Sequence, residues 1–359
     1  MKICQNTDRG EKMQEKKVTI YSLADELGVS VAAISRAFDP NSKLSAEKRK
    51  KILSTAKKYG YTPNKMASRL SMAPIKIGLL NFSYIKMYYT ELLDGVQAAH
   101  QNLRDYKVEL DIQVLQRGEN TMEEALAILN NFLEKHYDGV IISGIYEDCV
   151  VEKINRLEDA GIRVVTLQYD VGESKRLFSS LGDYKVIGEM AAQLCGMLLR
   201  SSEGKKAVMF TGNKRSPTHS RLIESFCCAA KKYGVEIADI YDTQDNAACA
   251  ERMIVQAFGD HPDIAVIYAS SANSLPICQY LERNHIGQKV AFVASDVFPE
   301  LYPYIECGII DATIYQEPFK MGYTAFEKLF RVLSEGITVE EVITSTPRVV
   351  MASNLKNYR

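Results

Sequence analysis

From Pro74 onward, short runs of β-branched residues alternate with amphipathic stretches of helical period, and this alternation restricts the fold more than any other feature. Eight candidate strands fall into two groups, at residues 75–80, 108–115, 139–143 and 164–167, and at 207–211, 235–241, 264–269 and 290–294. Alternating strands and helices predict parallel sheets with helices on both faces. Two groups of four strands predict two doubly wound subdomains, whose ligand cleft lies at the carboxyl ends of the strands.

The chain before Pro74 has a different, helical pattern. Thr19 can cap a first helix that stops at Gly28, and Ser30 can cap a second helix after a short turn. A third helix opens at Ser45 and ends before Pro63. A helix, a short turn containing glycine and a second helix form the helix-turn-helix pattern. The sequence therefore predicts an all-α head, preceded by a flexible tail at residues 1–17, which lack apolar periodicity.

Charge divides the chain at the same point. Residues 1–74 contain 15 Lys and Arg against 7 Asp and Glu, whereas the remainder contains 29 against 38. A basic head on an acidic body is typical of a nucleic-acid-binding module joined to a regulatory or catalytic domain, because phosphates require local positive charge. A solvated basic helical domain is the alternative interpretation of the charge alone.

No motif in the sequence indicates catalysis. GxSxG, HExxH, Walker A and a GxGxxG after the first strand are all absent. The five histidines show no metal-ligand spacing and the eight cysteines include no CxxC pair. No apolar run reaches the roughly 18 residues of a membrane span, and the N-terminal residues include no apolar signal core. We expect a cytoplasmic protein that is not an enzyme and that has no metal, cofactor or membrane partner.

Three segments of the head carry a family resemblance, namely VTIYSLADELGVSVAAISRAF at 18–38, SAEKRKKI at 45–52 and YGYTPN at 59–64. They resemble the LacI/GalR (lactose-repressor) family of bacterial regulators. YYTELLDG at 88–95, HPD at 261–263 and TIYQEP at 313–318 are similar to landmarks of that family's periplasmic-binding-protein-like body, in the same order.

The resemblance implies a division of the chain into domains. Residues 18–63 would be the helix-turn-helix DNA-binding domain, 64–74 the hinge helix and linker, and 75–359 the effector-binding and dimerisation domain. One lobe of that domain would comprise about 75–175 and 313–336. The other would comprise about 184–296 and 345–355.

The resemblance also implies the residues that contact DNA. The second helix would present side chains to base edges in the major groove, while hydroxyls and the hinge contact phosphates and the minor groove, where Leu70 wedges between base pairs. The expected DNA-binding residues are Thr19, Tyr21, Ser30, Val31, Ala32, Ser35, Arg36, Tyr61, Asn64, Arg69 and Leu70. Simple packing of Val31 and Ala32, and a linker role for Leu70, are the alternatives.

The implied effector residues lie at strand ends in the body. Tyr88 would stand in the first strand–helix loop and Gln316 on a crossover between lobes. The full set is Tyr88, Gln168, Asp170, Arg221, Asn273, Asp296 and Gln316. Carboxylates, amides and an aromatic ring suit a sugar or similar polyhydroxyl compound, although each residue singly could make a structural hydrogen bond.

The sequence departs from the family pattern at two of these residues. After the strand ending at Ala269, the family's usual Asn-Asp appears as Ser271-Ala272, with Asn273 close by. Where the family often has Arg, three residues before a Gly-Phe pair, this chain has Leu222 before Ser225-Phe226. Arg221 lies one residue earlier, about 100° around a helix.

We interpret the chain as a homodimeric transcription regulator, a repressor of carbohydrate-metabolism genes, that binds double-stranded operator DNA under control of a sugar-like effector. Two alternatives remain. One is a carbohydrate-binding transport component, against which the basic head and the missing signal core argue. The other is an enzyme on a doubly wound scaffold, for which the sequence provides no nucleophile–base arrangement.

Overall fold

The computed structural model describes residues 18–38, 42–61, 73–83, 86–116, 121–144, 147–199 and 206–358. The chain divides into two compact units between Ala73 and Pro74. The hinge segment predicted at 64–72 and the tail predicted at 1–17 lie outside the described residues.

The first unit contains three helices, α1 (Ile20–Leu27), α2 (Val31–Phe38) and α3 (Ala46–Lys58). Thr19 caps α1 as predicted, in a reciprocal capping box with Ser22, and Gly28 ends it with a left-handed φ of 63°. Ser30 Oγ accepts a hydrogen bond from the Ala33 amide at 3.2 Å and so caps α2. Ser45 is the N-cap residue of α3, where the helix was predicted to open, although its side chain makes no capping hydrogen bond.

The core of the head is built from the apolar faces of the three helices together with Tyr61. Its buried members are Leu23, Ala24, Ile34, Ala37, Ile52, Ala56 and Tyr61. Burial of these side chains leaves the opposite face of α2 available for contact with another molecule.

The second unit contains two six-stranded sheets covered by helices, which confirms the predicted α/β architecture. The first sheet and its helices, the first lobe, comprise β1 (Ile75–Ser83), α4 (Lys86–Leu103), β2 (Val108–Gln116), α5 (Thr121–Glu134), β3 (Gly139–Ser143), α6 (Asp148–Asp159), β4 (Arg163–Leu167) and β5 (Phe178–Gly182). The second lobe comprises α7 (Tyr184–Leu199), β6 (Lys206–Thr211), α8 (Pro217–Ala230), β7 (Ile237–Asp242), α9 (Ala247–Asp260), β8 (Ile264–Ala269), α10 (Ser274–Arg283), β9 (Ala291–Ser295), α11 (Tyr302–Glu306) and β10 (Ala312–Tyr315).

The chain then returns to both lobes through α12 (Pro318–Glu335), β11 (Val342–Ser345) and β12 (Arg348–Val350). The strand orders are β11-β5-β4-β3-β1-β2 and β12-β10-β9-β8-β6-β7. Every pair is parallel except β10 with β12, which is antiparallel and was not anticipated.

The lobe boundaries differ from those expected. We assigned residues 313–336 to the first lobe, but β10 pairs with β9 in the second sheet, and only α12 packs on the first. Residues 178–182 and 342–345, assigned to neither lobe except for Ser345, are strands β5 and β11 of the first sheet. The β5 sequence FSSLG contains no β-branched residue, and β11 pairs with β5, which is far away in sequence, so local patterns do not reveal either strand.

Candidate functional site

The outer face of α2 is the candidate nucleic-acid interface. Ala32, Ser35 and Arg36 are exposed and Val31 is half-buried, whereas Ile34 and Ala37 face the core. Thr19, Tyr21 and Ser30 are also exposed, and Tyr21 is 69% accessible. The predicted contact residues on α2 and at the two helix starts therefore reach the surface of the head.

A basic stripe accompanies this face on α3. Its exposed members are Lys48, Lys50, Lys51, Lys57 and Lys58. Arg49 is turned toward Ser42, whose Oγ accepts a hydrogen bond from Nη2 at 2.6 Å. Solvated lysines on a helix suit non-specific attraction to phosphates.

Tyr61 does not belong to the exposed surface. Only 8% of it is accessible, and its ring packs edge-on against Phe38 at 5.9 Å between centroids. The predicted DNA contact is thus a core residue, because the ring of Tyr61 packs into the apolar core of the head. The other predicted hinge contacts, Asn64, Arg69 and Leu70, lie outside the described residues.

A cleft between the two lobes of the body is the candidate ligand site. Its empty volume, including the open mouth, is about 780 Å³. The described residues that line it are Tyr88, Tyr89, Gly144, Gln168, Tyr169, Asn213, Ser216, Thr218, His219, Leu222, Gln244, Asp245, Ser270, Ser271, Ala272, Asp296 and Gln316. Many of them follow the carboxyl ends of strands β3, β4 and β6 to β10, as expected for a doubly wound fold.

Asp296 and Gln316 meet at the second-lobe side of the cleft. Asp296 is 1% accessible and has a left-handed φ of 62°, which an aspartate adopts only where its surroundings hold it. Burial, with a further contribution from the charge of Glu91, raises the pKa of Asp296 to about 7. The site thus contains a carboxyl group that forms no ion pair with any described residue and that accepts hydrogen bonds from two donors of Gln316.

Tyr88 lies in the first turns of α4 rather than in the expected loop, since the helix begins at Lys86. It is 5% accessible, and its hydroxyl is buried without a hydrogen-bond partner among the described residues. Burial, with the nearby Tyr184 and Asp296, raises its pKa well above the usual value, so it stays a neutral donor. Its ring meets that of Tyr89 edge-on at 5.6 Å.

Gln168 connects the lobes at the end of β4. Its side-chain oxygen accepts a hydrogen bond from Tyr89 Oη at 2.9 Å, and its backbone oxygen accepts one from Thr218 Oγ1 at 3.3 Å and another from Tyr184 Oη. Its φ of 77° is left-handed. This residue lines the cleft as predicted, and much of its hydrogen-bonding capacity is already occupied.

Three of the predicted effector residues do not line the cleft. Asp170 is held by Arg176, whose Nε donates to Oδ1 at 2.9 Å, and by Ser179 Oγ at the same distance. Arg221 is half-exposed and lies 3.8 Å from Asp170 Oδ2. Asn273 is buried beside Ser271 at the start of α10. One residue further along α8, the apolar Leu222 faces the cleft instead of Arg221, as the helical offset requires.

Sequence reasoning missed the polar residues of the second-lobe wall. Asn213, His219, Asp245 and Ser270 all line the cleft. Three of them follow strands β6, β7 and β8 within a few residues, so the strand-end rule alone could have identified those three. His219 stands on α8 and carries no such signal.

The described residues contain neither a candidate metal site nor a candidate membrane span. No group of three or more His, Cys, Asp or Glu side chains within the described ranges could hold a metal ion. Among the helices described, none has the length and apolar character needed to cross a membrane.

Two family models match the chain. The model of bacterial regulatory proteins of the lacI family matches residues 19–64, and a periplasmic binding protein domain matches residues 77–337. These ranges correspond to the head and to most of the body.

Curated relatives include catabolite control protein A of Priestia megaterium, 28% identical over 227 residues. That match covers 62% of this chain and 64% of the relative, just under two thirds of its length. The protein of the same name from Staphylococcus aureus strain Mu50 is 25% identical over 266 residues, covering 72% of this chain and 76% of the relative.

Solved structures similar to the body include GanP, a glucose-galactose binding protein from Geobacillus stearothermophilus. Its TM-score is 0.69 at 24% identity, over 79% of this chain and 99% of that one. A solute binding protein from Burkholderia graminis in complex with D-arabinose has a TM-score of 0.72 at 20% identity, over 80% and 98% of the two chains. At these identities the similarity shows the fold alone.

Proposed function

This chain belongs to the LacI/GalR family of transcription regulators, and we propose that it represses genes of carbohydrate metabolism under the control of a small ligand in the cleft. The observation that supports this most directly is the combination, in one chain, of a helix-turn-helix head with an outward-facing α2 and a two-lobed body with a polar cleft. Its site of action would be the cytoplasm, where the DNA is, and its role would be binding rather than turnover.

The DNA-bound form would be a homodimer on a pseudo-palindromic operator. A recognition helix covers only a few base pairs, and two heads related by a two-fold axis read two half-sites. The side chains available on α2 are mostly small, with Arg36 as the long polar one. We therefore assign part of the sequence reading to the hinge segment 64–72, whose Leu70 would enter the minor groove.

The cleft ligand would be a sugar or another polyhydroxyl compound. Asp296 Oδ1 and Oδ2 each accept one hydrogen bond from Gln316 and retain capacity for ligand hydroxyls. The hydroxyl of Tyr88 offers a donor on the first-lobe side, and the tyrosine rings offer apolar faces for a pyranose or furanose ring.

Ligand binding would change the relative orientation of the lobes, because the ligand would touch residues of both. The lobes are already connected beside the cleft by the hydrogen bond from Tyr315 of β10 to Glu91 of α4. A ligand that prefers one orientation shifts the population toward it. At the dimer interface this shift would favour or disfavour the paired hinge helices, and with them operator binding.

The experiment that tests this function uses the full chain. We expect selection from a random duplex pool to enrich a two-fold symmetric site, whose affinity falls steeply with salt concentration. A melting screen with free sugars should identify a stabilising ligand, since a ligand at 100 times its Kd contributes about 2.7 kcal/mol. That ligand should change operator affinity. Failure to enrich any duplex would exclude the regulator assignment.

A further inference from the structure

An Asp–His pair on the second-lobe wall of the cleft is not part of the ligand set that the sequence implied. His219 Nε2 lies 3.3 Å from Asp245 Oδ1, and each side chain is about one-eighth accessible, at 12% and 13%. Both residues line the cleft. His219 Nδ1 is buried without a hydrogen-bond partner among the described residues. The pair therefore leaves one ring nitrogen without a partner at the site where a ligand would bind.

The backbone around the pair is arranged to accommodate it. Asp245 has a φ of 53° and its neighbour Gln244 a φ of 52°, so two consecutive residues with side chains adopt the left-handed conformation. A Cβ atom at Gly212 would lie 2.2 Å from Asp245 Oδ1 and 2.2 Å from His219 Nε2. The Asn213 amide also donates to Asp245 Oδ2 at 3.2 Å. Strained backbone that persists beside a cleft indicates a functional constraint.

The cleft wall is rich in acceptors and poor in cations. Among the described lining residues, the charged or titratable ones other than tyrosine are Asp245, Asp296 and His219, and none is Lys or Arg. Two cations near the cleft in sequence are engaged elsewhere, since Arg176 donates to Asp170 and Lys214 Nζ donates to the backbone oxygen of Ile240 at 2.6 Å. An anionic group in the cleft would therefore approach carboxylates without a compensating charge.

Hydrogen-bond polarity points the same way. In the tautomer whose Nε2–H faces the Asp245 carboxylate, Nδ1 of His219 is a hydrogen-bond acceptor. Carboxylate oxygens and an imidazole acceptor nitrogen both require a ligand that donates. Sugar hydroxyls donate, whereas a phosphate dianion or a carboxylate offers only acceptors.

We propose that the Asp245–His219 pair is a specificity determinant of the cleft, selecting uncharged polyhydroxyl ligands and rejecting their phosphorylated or carboxylated derivatives. This inference rests on the proposed function, in which the cleft binds a polyhydroxyl ligand. His219 accepts a ligand hydroxyl at Nδ1, and Asp245 both orients the imidazole and repels anions. The ligand is thus a free sugar rather than a sugar phosphate.

The test compares matched ligands on the full chain by calorimetric titration at pH 7.5. The probes are glucose, galactose, arabinose, ribose and allose, each paired with its phosphate ester, and glucuronate and galacturonate as the acids of glucose and galactose. We expect at least one free sugar to bind, and its ester, and its acid where one is included, to bind at least tenfold more weakly. An ester that binds as tightly as its sugar overturns the proposal, and so does a cleft that binds no member of either series.

Two variants assign the selectivity to the pair. Asp245→Asn keeps the shape of the side chain, retains one acceptor oxygen and removes the charge, so the ratio of sugar affinity to ester affinity should decrease at least fivefold. His219→Gln should lower the affinity for the free sugar at least tenfold. Asp263→Asn, a charge-matched control on a half-exposed carboxylate outside the cleft, should leave the ratio unchanged. Melting curves verify folding, and if Asp245→Asn does not fold, His219→Gln decides alone.

Two outcomes separate this inference from the function beneath it. An unchanged ratio in Asp245→Asn, or unchanged sugar affinity in His219→Gln, removes the pair from the site while the regulator assignment stands. If the wild-type chain does not bind operator DNA in a parallel band-shift assay, the regulator assignment is contradicted instead.

Discussion

Asp296 binds Gln316 through both carboxylate oxygens, with Oδ1 accepting from the Gln316 backbone amide at 3.0 Å and Oδ2 from Nε2 at 2.8 Å. The pair joins the end of β9 to the segment that crosses from β10 to α12. Ser345 Oγ, at the end of β11 where the chain begins its return to β12, donates to the backbone oxygen of Gln316 at 2.6 Å. The most buried carboxylate of the cleft wall is therefore also a structural element of the connection between lobes.

Asp296→Ala should consequently reduce both stability and ligand affinity. It removes two hydrogen bonds to a carboxylate and leaves the Gln316 amide buried without a partner, which costs about 1 to 3 kcal/mol of unfolding free energy. If Asp296 also accepts ligand hydroxyls, ligand affinity should fall by a further 2 to 4 kcal/mol, roughly two charge-assisted hydrogen bonds. Melting curves and calorimetric titration with the sugar from the screen measure the two effects.

Gln316→Ala and the outlying Asp263→Asn provide the comparison. Gln316→Ala should lower ligand affinity, whereas Asp263→Asn should change neither ligand affinity nor stability. Full ligand affinity in both Asp296→Ala and Gln316→Ala would exclude this part of the cleft as the binding site.

Stability should depend on pH through Asp296. Burial raises its folded-state pKa to about 7, above the roughly 3.9 of an unfolded aspartate. Between these values the folded chain binds more protons than the unfolded chain, so the stability contribution falls as pH rises from about 4 to about 7 and is constant above that. The difference in melting temperature between wild type and Asp296→Asn, followed from pH 4.5 to 8.5, should fall over this window. A flat difference would contradict the raised pKa.

Local patterns predicted the local structure well. Thr19, Gly28 and Ser30 act at their predicted positions because caps and left-handed turns depend on neighbouring residues. The apolar period of α1 and α2 likewise placed Leu23 and Ile34 in the core. The eight predicted strands are all present, because their short runs of β-branched residues are also a local signal.

Features that depend on distant residues were not predictable. His219 and Asp245 are 26 positions apart and meet only because β6, β7 and α8 pack together. Tyr61 has a hydroxyl and a ring that could contact DNA, yet the side chain is buried against Phe38 in the core of the head. Arg221 and Asp170 have side chains that could bind a polar ligand. In the turn before β5, however, Asp170 accepts a hydrogen bond from Arg176 instead.

Arg36→Ala should weaken operator binding by about 1 to 3 kcal/mol, because it removes the exposed guanidinium of α2. If the arginine contacts a guanine, sequence specificity should relax at one position; if it contacts a phosphate, affinity should fall for all duplexes and the salt slope should fall by about 1. Fluorescence anisotropy at several salt concentrations distinguishes these roles. Lys289→Ala, an exposed charge removal in the body, is the control. Unchanged affinity in Arg36→Ala would remove α2 from the interface.

Leu70→Ala should weaken operator binding by about 1 to 3 kcal/mol while leaving ligand affinity unchanged, because the leucine would fill an unstacked base step. Band shifts with the selected operator and titrations with the cleft ligand measure the two properties on the same preparation. Equal losses in both would indicate a folding defect. If Leu70→Ala binds the operator with wild-type affinity, Leu70 is only a linker residue.

Gly95→Ala should destabilise the body, because α4 and α12 approach each other at backbone distance. A Cβ atom at Gly95 would lie 2.0 Å from the Phe319 oxygen, and one at Gly322 would lie 2.0 Å from the Leu92 oxygen. These obstacles are backbone atoms, so the helices must separate, at a cost of about 1 to 3 kcal/mol or more. Gly259→Ala is the matched control, since nothing lies within 4 Å of the added atom near the end of α9. Alanine reduces the conformational entropy of the unfolded chain relative to glycine, so that variant should be more stable by about 0.4 to 1 kcal/mol. Urea or thermal unfolding should therefore give shifts of opposite sign, and equal shifts would contradict the close contact of α4 with α12.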